Sequence, residues 1–78
     1  MEKIMERIEI NPKILVGKPI IAGTRISVEL IMKLVAQGWK EEDIIKEYPV
    51  LKKEDIRAAL FYAEKVIEEE EVYPLVRD

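Results

Sequence analysis

Seventy-eight residues allow one domain, and a chain of this size buries only about 60% of the surface its unfolded form exposes. With no cysteine and no histidine, it has no disulfide, no thiolate, none of the usual zinc spacings and no ordinary neutral-pH general base, so association into a homodimer is the expected way to enlarge the core. The net charge of −3 argues against coating nucleic acid by bulk attraction and leaves room for a localised basic patch. Charged residues make up 37% of the chain, with one Gln and one Asn. That composition points to a heat-adapted source. No apolar run approaches the roughly 18 residues needed to cross a bilayer. Met1 to Arg7 alternates charged and apolar residues without a signal-peptide core, so a cytoplasmic protein with no membrane contact is expected.

The reading is of one domain over residues 1–78: a β element over 4–27, a helical core over 28–70 and a tail over 71–78. Ile4, Ile8 and Ile10 fall at even positions, with Arg7 and Glu9 between, the alternation of a half-buried strand. Asn11-Pro12 breaks it, and Pro12 suits the first turn of a short helical piece. Ile14, Leu15 and Val16 are expected in the core or at a dimer contact. Gly17 to Val28 holds two of the three glycines. It reads as two short extended segments, 19–21 and 24–26, joined by a tight turn at Ala22-Gly23. The first strand can pair with either segment or with a partner chain. Ser27 is placed as a helix cap.

Helix one is expected over 28–37. Its polar residues Glu29, Lys33 and Gln37 form a single stripe, and its remaining circumference is apolar, as in a buried helix. Gly38 stops it. Helix two is expected over 41–48, with Glu41, Glu42 and Asp43 at the positive end of its dipole, Trp39 packing over its start, Ile44, Ile45 and Tyr48 on its apolar face, and Pro49 ending it. Helix three is expected over 53–70. Ile56, Ala59, Leu60, Ala63, Val66 and Ile67 repeat along one face, and Phe61 and Tyr62 lie off it as a second contact surface. Pro74 sets the last residues apart as a tail. The short connection from Pro49 to Lys52 gives the outline of a helix-turn-helix, so the fold class is mainly α, a tri-helical core with a short N-terminal β hairpin.

Gly17-Lys18-Pro19-Ile20-Ile21-Ala22-Gly23-Thr24-Arg25-Ile26 resembles the signature of the prokaryotic domain-of-unknown-function 433 family, with Gly17, Pro19, Gly23, Thr24 and Arg25 as its matching positions. The likeness continues through Gly38, Glu41 to Ile45, Tyr48-Pro49, Leu51, Glu54 to Ile56 and Ala58 to Ala63, covering about residues 7 to 65. The resemblance implies a homeodomain-like tri-helical fold. It also implies an antitoxin role, because such proteins are often encoded beside PIN-like ribonuclease toxins. Lys40 and Lys52 depart from the Ser or Thr usual at the starts of helices two and three; lysine cannot accept the free N–H groups there.

No histidine activates Thr24, Ser27 or the tyrosines, and the carboxylates cluster at helix starts, where the dipole explains them. The glycines around Lys18 lack the terminal Gly-Lys-Ser/Thr of a phosphate loop. No enzyme, metal or cofactor is therefore expected. For duplex DNA, Lys52 and Lys53 are candidates to hold phosphates and Arg57 to read a base, with Glu54 and Asp55 opposing them. Arg25, Lys18 and Lys13 form a candidate second patch. The alternative is a helix start with ordinary solvated charges. For a protein partner, Phe61, Tyr62 and Tyr73 are candidate anchors. The tail, with Leu75 and Arg77, is either a docking segment or a frayed terminus. For Thr24 and Arg25 a structural role is preferred, with Arg25 paired to Glu9 or Glu29.

Overall fold

The computed structural model describes residues 6–69. Ile4, and the candidates Tyr73, Leu75 and Arg77 with the rest of the tail, lie outside the described residues. Two short strands, β1 (Ile8–Ile10) and β2 (Pro19–Ile21), precede three helices, α1 (Val28–Ala36), α2 (Glu41–Glu47) and α3 (Lys53–Glu69). The fold is mainly α, three helices with a small antiparallel sheet.

β1 pairs with β2 within the chain, Ile8 opposite Ile21, Glu9 opposite Ile20 and Ile10 opposite Pro19. Residues 24–26 form no strand. Instead the Ile21 N–H donates to the Ile26 carbonyl at 2.9 Å, and Ile20 makes a single bridge to Ser27. The hydroxyl of Thr24 explains this. It donates to the Ile21 carbonyl at 2.7 Å and accepts from the Ile26 N–H at 2.9 Å, so the side chain occupies backbone groups that a ladder would use. Gly23, at φ +81°, supplies the left-handed residue that the bend needs.

Between the strands the chain turns through a 3-10 piece, Leu15–Gly17. Leu15 (φ +51°), Val16 (φ +56°) and Gly17 (φ +81°) are consecutive left-handed residues. This geometry turns the two apolar side chains outward, so the expected core role of Leu15 and Val16 does not hold: Leu15 is exposed and Val16 is 92% exposed.

Each helix end has a local cause. Ser27 Oγ accepts the Leu30 N–H at 2.9 Å and starts α1. Its C-terminus closes in a Schellman motif: the Trp39 N–H reaches the Leu34 carbonyl and the Gly38 N–H reaches Val35, each at 3.0 Å, with Gly38 at φ +98°. Lys40 and Lys52 cannot cap with their side chains, so the third helical residue caps in reverse. Asp43 accepts the Lys40 N–H at 2.8 Å, and Asp55 accepts the Lys52 N–H at 2.9 Å.

The core gathers Ile21, Val28, Ile31, Leu34, Ile44, Leu51, Ile56 and Ala59, with α1 packed mainly on α3, β2 on α1 and β1 on α3. Helix α1 is buried along Val28, Ile31 and Leu34 only; Val35 and Ala36 face outward and Leu30 and Met32 are half-covered. The expected core helix is found along Val28, Ile31 and Leu34, with Leu30 and Met32 packed beside them, while its apolar surface at Val35 and Ala36 is left exposed.

Candidate interaction surfaces

One link between the β element and the helices is ionic. Arg7 Nη1 meets Asp55 Oδ1 at 2.8 Å while Asp55 Oδ2 holds the Lys52 N–H. Asp55 is buried, and both of its oxygens are used, so burial leaves no lone charge. This places Asp55 in the framework at the start of α3.

Lys52 and Lys53 are exposed at that start. Arg57 lies one turn on, its Nε 3.4 Å from Glu41 Oε2, so it is partly neutralised by α2. Lys18 is further engaged: its Nζ lies 2.7 Å from Glu29 Oε1. That hydrogen bond, with the charge of Lys18 behind it, holds the Glu29 carboxyl below the usual glutamate range. Arg25 is exposed and pairs with neither Glu9 nor Glu29; Glu9 instead accepts the Gly23 N–H at 3.3 Å. The six candidate DNA contacts are therefore split between the start of α3 and the segments flanking β2, and only Lys53 and Arg57 lie within a helix, with Lys52 just before it.

The apolar surface is more continuous. A groove of ≈ 330 Å³ runs between α1 and α3. From α1 it takes Val28, Glu29 and Met32, and from α3 it takes Tyr62, Ala63, Val66 and Ile67. Pro19 closes one end, and the exposed Ile10 stands opposite Pro19 in the sheet. Val66 and Ile67 are both exposed on the α3 wall, beside the first turns of α1. Tyr62 does not lie off the main face of α3: it packs against the core and forms a groove wall. Phe61 faces elsewhere, with Lys65 Nζ 5.5 Å from its ring centre. Nothing in the sequence marks the groove as such, because its walls come from positions 19, 28–32 and 62–67. The one available signal was the surplus of apolar residues on α1.

A second hollow, lined by Gln37, Gly38, Trp39, Asp43, Lys46 and Glu47, lies between the end of α1 and α2. Its Asp43 is committed to capping. Among the described residues no three carboxylates gather at metal-holding distance, and no helix is long and apolar enough to cross a membrane.

Among curated proteins the chain is 41% identical over 54 residues to the uncharacterized protein y4eO of Sinorhizobium fredii. That match covers 69% of this chain and 24% of the relative, so the chain spans about a quarter of the relative's length. Among solved structures, the crystal structure of a DUF433 member protein from Anabaena variabilis superposes with a TM-score of 0.77 at 31% identity. The superposition covers 87% of this chain and 67% of that one. The family model for DUF433, described as a protein of unknown function, matches residues 8–63, from the first paired residue of β1 to the groove wall on α3. The chain belongs to the DUF433 family.

Proposed function

We propose that the chain is an antitoxin-like component of a toxin–antitoxin pair, a protein-binding module whose partner is a PIN-like ribonuclease. The observation that supports this reading is the open apolar groove between α1 and α3, with half-covered Met32 and Tyr62 in its walls and Val66 and Ile67 exposed beside them. Contiguous apolar surface of this kind is what partner binding uses. A homodimer would present two such sites, and avidity would let each bind weakly.

The test is co-expression with a PIN-like ribonuclease of the same host. The expected result is a stoichiometric complex in which the nuclease no longer cleaves RNA. A nuclease that stays free and fully active at equimolar concentration discards the antitoxin reading. A second reading, contact with duplex DNA, is supported by the exposed Lys52 and Lys53 at the start of α3.

A further inference from the structure

We infer that the tail of this chain, residues 72–76, seats in the α1–α3 groove of the free protein, so that a partner using the groove has to displace it. The seating does not depend on the antitoxin reading, and its test needs no ribonuclease.

The two ends of the described chain differ in where they stand. Residues 1–5 lie outside the described residues, and the chain enters β1 at the far end of the sheet from the groove. There the Arg7 carbonyl accepts the Ala22 N–H at 2.7 Å, and Arg7 Nη1 meets Asp55, whereas Pro19 at the other end of β2 lines the groove. Asp55 is about 18 Å back along α3 from Ile67 at 1.5 Å per residue. At the other terminus, the described chain stops at Glu69, two residues after the groove wall at Ile67. Of the two segments outside the description, the tail is the one that starts at the groove.

The sequence of the tail supplies what the groove lacks. Tyr62, Ala63, Val66 and Ile67 form one helical stripe, and its next positions fall on Glu70 and Glu71. A straight continuation of α3 would therefore put acids on that line, and Pro74 cannot sit inside a helix. Apolar side chains resume only at Val72, Tyr73, Leu75 and Val76. Five extended residues span about 17 Å, against about 8 Å for the wall from Tyr62 to Ile67, so a tail that reverses over Glu70 and Glu71 is long enough to line it. Closing so short a loop costs little entropy, and it sets the tail against the groove at an effective concentration on the order of millimolar. A second copy competes from solution without that advantage.

The experiment is NMR on the full chain labelled with ¹³C and ¹⁵N. The expected result is a set of nuclear Overhauser contacts from Tyr73 and Leu75 to Met32 and Ala63, unchanged on twentyfold dilution. Leu75→Asp with Val76→Asp should shift the amides of Met32, Ala63 and Val66. Ile67→Glu should move Tyr73 and Leu75 to random-coil positions. Ile67 is 59% exposed, so this variant folds; Val50→Glu, at a site 61% exposed and outside the groove, should leave the tail signals where they are.

Random-coil signals for Tyr73 and Leu75 in the unaltered chain overturn the inference. So do groove contacts made by Ile4 or Met5 instead, which identify the other terminus as the occupant. Contacts that pass between labelled and unlabelled copies in a mixed sample overturn it in favour of a second copy.

Discussion

Val16 combines two features that a folded chain seldom tolerates together. It is β-branched at φ +56°, and it is 92% exposed, so no packing among the described residues offsets the strain. A left-handed L-residue costs roughly 1–2 kcal/mol, and asparagine tolerates the region better than valine. Val16→Asn should therefore raise stability by about 1 kcal/mol, which in a domain this small is a rise of roughly 4–8 °C in the melting temperature. A calorimetric scan that shows no rise would mean that the turn relaxes to right-handed geometry in solution. Glu29 gives a pH test at the same scale. Its carboxyl is held low by the hydrogen bond and charge of Lys18, so the folded state favours the ionised form. The resulting stabilisation is present above the ordinary glutamate range and is lost as pH falls through the lowered folded value. Lys18→Ala should move the Glu29 titration upward and flatten the acid limb of the stability curve. Both groups are exposed, so high salt should shrink the difference. Carboxyl carbon shifts followed through the acid range measure it directly.

At the scale of elements, the Arg7–Asp55 ion pair ties the start of the β element to α3, as Lys18–Glu29 ties the residue before β2 to α1. Arg7 precedes β1, and its guanidinium reaches across 48 positions to Asp55 near the start of α3. Arg7→Ala leaves Asp55 buried with only the Lys52 N–H, a loss of about 1–3 kcal/mol for a hydrogen-bonded charge left part-satisfied. Hydrogen exchange should then quicken in β1 and β2 before it does in α1. Uniform loss across all elements would instead make the pair a contributor to the whole core. The helices themselves are legible from sequence because their ends are local: Ser27, Gly38 and Pro49 act within one turn of where they stand. The β element is legible only in part. Apolar alternation locates β1 and the turn at Ala22-Gly23 locates β2, but the hydroxyl of Thr24 decides that residues 24–26 close a turn instead of adding a strand. The left-handed Leu15-Val16 pair is illegible for the opposite reason, since both residue types disfavour that geometry and only the closure of β1 onto β2 imposes it. The groove needs Pro19, Met32 and Ile67 side by side, which no local pattern encodes.

Across the whole molecule, the distribution of charge separates the two functional readings more sharply than the fold does. Three helices with a short turn before the last are compatible with a DNA reader, yet the start of α3 is set among acids. Glu41 engages Arg57, Glu42 and Glu54 are exposed nearby in the chain, and the chain total is −3. Lys52 and Lys53 are then the only cations at the start of α3 that can approach phosphate without giving up a partner. Counterion release turns this into a number. Each neutralised phosphate contributes about −0.9 to the slope of log affinity against log salt, so two contacts give about −2 per chain, and freeing Arg57 from Glu41 gives about −3. Fluorescence anisotropy with a labelled duplex over a series of salt concentrations measures that slope. Lys53→Ala should reduce it by about 1 and weaken all sequences alike, as a phosphate contact does. A slope steeper than about −5 would require Lys13, Lys18 and Arg25 as well, and with them a DNA surface that runs from α3 to β2. Lys18 would then have to leave Glu29, which ties the DNA reading to the same ion pair whose titration is measurable in the free protein.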